Sequence, residues 1–95
     1  MRPLTHSDVS LAAMAIRDLS ADVSRIEMLR FLNHAHAADL FRKRTGRAHP
    51  LWGDGSLAAV VLKHAPRKTE PFLGDPQYLG ALSIVIECLL EWRAR

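Results

Sequence analysis

The segment from Ala21 to Thr45 constrains the fold more than any other feature of this sequence. Ser20 precedes it as a suitable N-cap, and Gly46 follows it where a left-handed C-terminal residue is common. Apolar residues fall on two sides of the resulting helix. One side holds Val23, Ile26, Leu29, Ala37, Leu40 and Phe41, and the other holds Met28, Phe31, Leu32, Ala35 and Ala38. A helix that is apolar on two sides needs partners on both, so we expect either the central helix of a bundle or a helix with one face against another subunit.

Three further helices are predicted, and no segment shows the alternation of a strand. They cover about 6–19, about 57–64, and Pro76 to about Arg93. Suitable N-caps precede them at Thr5, at either Asp54 or Ser56, and at Asp75. A chain of 95 residues is long enough for one domain with a modest core. The sequence therefore predicts an all-α fold, a compact four-helix single domain over residues 1–95 with a long central second helix.

Positive charge is concentrated in the middle of the chain. Residues 42–68 contain one anion, Asp54, and seven cations: Arg42, Lys43, Arg44, Arg47, Lys63, Arg67 and Lys68. The remaining residues carry six cations and nine anions. Such asymmetry is typical of a surface that meets a polyanion, and arginine and lysine contact phosphates without reading sequence. The alternative interpretation is that cations at the end of the second helix only complement its dipole.

The fourth helix carries a heptad seam. Its members are spaced by four, three, four and three residues: Tyr78, Leu82, Val85, Leu89 and Trp92. Leu79, Ile86 and Leu90 widen this apolar face. A seam of this spacing is typical of helix–helix association. We therefore predict that these five residues form an oligomer or partner interface.

Few residues are arranged for catalysis or metal binding. His34 and His36 point away from each other on a helix, and the pair His36 and Asp39 supplies fewer ligands than zinc needs. Cys88 is the only cysteine, and it falls beside the apolar face of the fourth helix. The segment from His49 to Ser56 contains histidine, aspartate and serine but lacks a Gly-x-Ser-x-Gly elbow. We interpret it as a structural corner in which Trp52 is an anchor, and we expect no enzyme activity, metal or cofactor.

The same features bear on where the protein acts. No apolar run approaches the ~18–20 residues of a membrane span, and the start of the chain lacks the apolar stretch of a secretory signal. A lone cysteine allows no internal disulfide, which fits a reducing compartment. We expect a cytoplasmic protein that does not bind membranes.

Residues 38–57, with the sequence ADLFRKRTGRAHPLWGDGSL, resemble a family of small helical bacterial proteins. The later Asp75-Pro76-Gln77-Tyr78 and Trp92-Arg93 fit the same pattern, so the resemblance covers most of the chain. Some such proteins are similar to the small terminase subunit of phage-derived gene transfer agents. The resemblance implies a non-catalytic oligomer that presents DNA to a packaging motor. The chain lacks a separate N-terminal helix-turn-helix and C-terminal strands, so sequence-specific binding is not expected.

Two classes of function follow from the sequence. The first is a DNA-packaging adaptor that binds DNA non-specifically through the basic helix end. The second is a protein–protein adaptor or a subunit of a structural homo-oligomer, which would use the apolar faces of the second and fourth helices. The first predicts salt-sensitive DNA binding, whereas the second predicts none.

Overall fold

The computed structural model describes residues 1–95 and confirms the all-α prediction. Its four helices are α1 (His6–Ile16), α2 (Ala21–Thr45), α3 (Leu57–His64) and α4 (Pro76–Arg93), and no strand is present. The long helix α2 contacts all three other helices, while α1 packs mainly against α3 and α4. The predicted four-helix arrangement with a long second helix is therefore correct.

Each helix begins at a side chain that accepts a hydrogen bond from the first turn. Thr5 and Asp8 form a reciprocal capping box on α1, and Ser56, not Asp54, is the N-cap of α3. Helix α1 ends at Ile16, three residues earlier than expected. The carbonyl of Ile16 instead accepts hydrogen bonds from the Leu19 amide and from the buried Ser24 hydroxyl. The chain thus turns early enough for Ser20 to cap α2.

The core lies where the four helices meet. Its largest fully buried side chains are Tyr78, Phe31, Ile16, Met28, Leu32 and Leu57. The Tyr78 hydroxyl lies 2.9 Å from the Ser10 hydroxyl and donates to a carboxylate oxygen of Glu70 at 2.8 Å. The buried Tyr78 hydroxyl therefore has hydrogen-bond partners. An unpaired polar atom would be costly in a core of this size.

Only one of the two apolar sides of α2 is buried. Met28, Phe31 and Leu32 are in the core, whereas Ile26 on the other side is 67% exposed. Val23, Leu29 and Leu40 are exposed as well. The rest of the chain therefore leaves most of the second side of α2 exposed, and only Ala37 and Phe41 on that side are partly covered.

The segment between α2 and α3 is the structural corner that the sequence predicts. His49 and Gly53 exchange two backbone hydrogen bonds, of 2.7 and 3.0 Å. Gly53 and Gly55 have φ angles of 84° and 95°, a region that side-chain-bearing residues rarely occupy. Trp52 packs against the core from this corner. The turn brings Ser56 to the start of α3 and carries the chain back along α2.

Candidate nucleic-acid interface

The basic end of α2 is fixed by its C-cap and by one buried carboxylate. Gly46 adopts a left-handed conformation, and its amide donates to the carbonyl of Arg42 at 2.8 Å. Asp39, six residues before the last residue of α2, is 3% exposed. Its carboxylate oxygens lie 3.1 Å from both the Arg42 guanidinium and the Lys43 ammonium, and 3.2 Å from the Met1 amine.

These ion pairs determine the charge state of Asp39. Burial alone would raise its pKa, because it disfavours the charged carboxylate. Hydrogen bonds from Lys43, Arg42 and the Met1 amine outweigh burial and hold the pKa of Asp39 well below its ordinary value of 3.8. Asp39 is therefore ionised at neutral pH. Two of the four cations at this helix end, Arg42 and Lys43, are consequently paired with a carboxylate of the same chain.

Arg44 and Arg47 form the outward part of the same helix end. Both are exposed, and neither makes an ion pair. The Arg47 amide donates to the Thr45 hydroxyl at 3.2 Å, and that hydroxyl donates to the Phe41 carbonyl at 2.8 Å. The backbone that carries Arg47 is thus held against the helix while its charge faces solvent. Of the four cations at this helix end, these two are the ones without an internal carboxylate partner.

The remaining predicted cations are not brought to this helix end. Lys63 lies in a groove between α2 and α3. Arg67 and Lys68 lie instead beside α1 and α4, in a groove of about 580 Å³ with Val9, Leu82 and Ile86 among its lining side chains. All three are exposed and make no ion pair. The seven predicted residues therefore form three separate groups.

The α2–α3 groove contains basic and aromatic residues that sequence analysis did not single out as a site. Its volume is about 300 Å³, and Lys63 shares it with Arg30, His34 and His64. Trp52 stacks against His34 with ring centroids 4.2 Å apart, and His49 stacks at 4.6 Å. Burial, followed by the Arg30 charge, lowers the pKa of His34 from 6.5. The sequence does place Arg30 and His34 four residues apart, on one side of α2. The approach of Lys63 and His64 from α3 depends on the tertiary structure and leaves no signal in the sequence.

The heptad seam of α4 packs against the core of the same chain. Tyr78, Val85 and Leu89 are buried in the core, and Leu82 and Trp92 pack against it. These five residues therefore contact other helices of the same chain, which corrects the expectation that they are available to a partner. The apolar surface that α4 does expose consists of the residues that widen the seam, Leu79, Ile86 and Leu90. A period of 3.5 cannot tell a seam inside one chain from a seam between chains.

The structure contains no cluster of three or more His, Cys, Asp or Glu side chains that could hold a metal ion. Cys88 is buried, and burial raises the pKa of its thiol. Such a thiol is a poor nucleophile at neutral pH. No helix has the length and apolar character needed to cross a membrane.

The fold and its surface define a small all-helical protein with an exposed basic helix end. The chain belongs to the family described as "Domain of unknown function (DUF7742)", whose model matches residues 2–89. That description names no activity, ligand or partner. No curated protein and no solved structure matches the chain.

Proposed function

We propose that this protein is a non-catalytic module that binds DNA non-specifically through the basic end of α2. The observation that carries the proposal is the exposure of Arg44 and Arg47 without ion-pair partners, next to Arg42 and Lys43, whose charges are paired with Asp39. Arginine presents a rigid fork of donors that matches phosphate oxygens. Contacts to phosphates fix a protein on the duplex and carry no sequence information.

The DNA-packaging adaptor role is the finer form of this proposal. It rests on the resemblance of residues 38–57 to a family of small helical bacterial proteins, some of which are similar to the small terminase subunit of gene transfer agents. That segment contains both Arg44 and Arg47 as well as the corner that follows them. A packaging adaptor needs to hold DNA without selecting a sequence, which suits contacts to the phosphate backbone.

The test is a fluorescence-anisotropy titration of a random-sequence duplex at about 50 and 200 mM salt. Wild type should bind with a steep salt dependence, and Arg44→Ala/Arg47→Ala should bind more weakly with a log–log slope shallower by about 1.8. This double variant is preferable to one that also removes Arg42 and Lys43, since that change would take away two of the three cations that pair with the buried Asp39 carboxylate.

Arg67→Ala/Lys68→Ala provides the matched control. It removes the same number of charges from the face of α1 and α4. An unchanged slope in this variant would exclude the face of α1 and α4, and a shallower slope in the Arg44→Ala/Arg47→Ala variant would then assign contacts to the end of α2. A folded wild-type protein that does not bind the duplex at low salt would refute the proposal.

The second candidate is a protein–protein adaptor or a homo-oligomer subunit. The exposed apolar residues of α2 and α4 favour it, above all Ile26 at 67% and Leu90 at 64% exposure. Ile26 and Leu29 line one groove together with Cys88 and Trp92 of α4, and exposed apolar surface of this kind is typical of an interaction site. Both functions can coexist, because these apolar residues are distinct from the arginines at the end of α2.

A further inference from the structure

The α2–α3 groove continues the basic helix end along one face of α2. Arg30, His34, Ala37, Phe41 and Arg44 follow one another at spacings of four, three, four and three. Residues at this spacing lie on one side of a helix. The first and last of them are 14 residues apart, or about 21 Å along the axis at ~1.5 Å per residue. Two arginines thus mark the ends of one face.

Rings fill the space between these two ends. Phe41 packs edge-on against His49 at 5.0 Å, and Trp52 lies stacked between His49 and His34. Helix α3 adds Lys63 and His64 beside Arg30. His64 is held there by an edge contact with Phe31 at 5.2 Å. The face therefore carries cations at both ends and imidazoles between them.

One carboxylate competes for these charges. Glu27 accepts a hydrogen bond from Arg30 at 2.7 Å, one turn apart on α2. The Arg30 side chain is 50% exposed and the Glu27 side chain 20%, so the Arg30 end of this pair is open to solvent and to screening by salt. Lys63, Arg44 and Arg47 make no ion pair. A phosphate can therefore reach Arg30 from solvent, in competition with Glu27 alone.

We propose that Arg30 and Lys63 at one end, and Arg44 and Arg47 at the other, form one continuous track for the phosphate backbone of duplex DNA. The inference rests on the proposed function and names a second set of contacts for it. A length of about 21 Å matches roughly six phosphates of one strand at ~3.4 Å each along the duplex axis. Both ends can thus reach the same duplex.

The track favours duplex over single-stranded DNA. Proteins that hold single strands stack bases on exposed aromatic faces. Both faces of Trp52 are already covered, by His34 on one side and His49 on the other. The aromatic rings therefore pack against one another, and the cations are the groups that contact the DNA phosphates.

The test compares Arg30→Ala/Lys63→Ala with the control Arg67→Ala/Lys68→Ala on a random duplex of ~20 base pairs, longer than the track at ~3.4 Å per pair. The first variant should bind on the order of 10- to 60-fold more weakly near 0.1 M salt, with a slope shallower by about 1.8. The control should keep the wild-type slope. Glu27→Gln should bind more tightly than wild type, since it removes the competing carboxylate. Wild type should bind the duplex more tightly than one of its separated strands.

The outcomes separate this inference from the proposed function. If Arg44→Ala/Arg47→Ala loses affinity while Arg30→Ala/Lys63→Ala binds like wild type, the track is refuted and the binding site is confined to the helix end. An equal loss in the control would also refute the track, because it would show a diffuse effect of net charge. No binding by folded wild type would refute both.

Discussion

Gly55 packs so closely against Asp39 that a Cβ atom on it would lie 2.8 Å from the Asp39 Cα atom. Its φ of 95° is also unfavourable for any residue with a side chain. The amide of Arg2 donates to the Gly55 carbonyl at 2.9 Å, so the start of the chain is fastened to the same point. Glycine at this position lets the corner before α3 reach the backbone of α2 beside the basic helix end.

Gly55→Ala should therefore destabilise the protein by about 2–4 kcal/mol, since it combines a strained φ with a clash against backbone that cannot move away. The free energy of unfolding from urea titration measures the effect. Gly80→Ala is the matched control, because Gly80 lies within α4 and an added Cβ would meet no atom within 4 Å. That change should stabilise by about 0.5–1 kcal/mol. Equal stabilities for the two variants would contradict the role of Gly55.

Asp8 joins α1 to α3. It is 3% exposed, and one carboxylate oxygen accepts the Ala58 amide of α3 at 2.8 Å while the other accepts the Thr5 amide at 2.8 Å. Asp8→Ala should cost about 2–4 kcal/mol, because two backbone amides lose a charged acceptor. Thr5→Ala, which removes only the capping hydroxyl, should cost about 1 kcal/mol. Thermal unfolding of the two variants gives the ranking, and a Thr5 variant less stable than the Asp8 variant would contradict it.

Asp39 makes the free energy of unfolding depend on pH in the acid range. Since its pKa in the fold is below 3.8, its ionised form stabilises the fold above the unfolded pKa, and this contribution is lost as the pH falls through the folded pKa. Asp39→Asn should be less stable than wild type at neutral pH by about 1–2 kcal/mol, because two of the three partners of Asp39, Arg42 and Lys43, are partly solvated. The difference should shrink below about pH 4. Urea titrations across this range test it, and a constant difference would show that Asp39 does not titrate in the window.

The same substitution should strengthen DNA binding if the end of α2 is the binding surface. Asp39→Asn releases Arg42 and Lys43 from their internal carboxylate and removes one negative charge from the site. The salt dependence should steepen by up to about 1.8, as two further cations become available to phosphates. Anisotropy titration at neutral pH measures it. An affinity at or below the wild-type value would place the bound DNA away from this helix end.

The fold was predictable because its signals are local. Ser20, Gly46 and Asp75 mark helix ends by chemistry that acts within one turn, and the structure uses all three as expected. The end of α1 was misplaced because the hydrogen bond from Ser24 to Ile16 joins two helices. A contact of that kind leaves no periodic trace in the sequence.

The site was only partly predictable for the same reason. The charges of Arg42 and Lys43 are visible in the sequence, but their neutralisation by Asp39 depends on its burial beneath Gly55. Lys63 comes next to Arg30 only after α3 has folded back along α2. Composition therefore indicates a basic region, whereas the grouping of its cations is a property of the tertiary structure.

The exposed apolar side of α2 predicts self-association or a protein partner. Ile26→Asp should leave the free energy of unfolding within about 0.5 kcal/mol of wild type, since Ile26 is 67% exposed. Light scattering at tens of micromolar should then give a larger mass for wild type than for this variant. Val85→Asp cannot serve this purpose, because Val85 is fully buried and an unpaired charge there should unfold the chain. If wild type is monomeric at this concentration, the apolar side is not a self-association surface, and the second candidate would then require a different protein as partner.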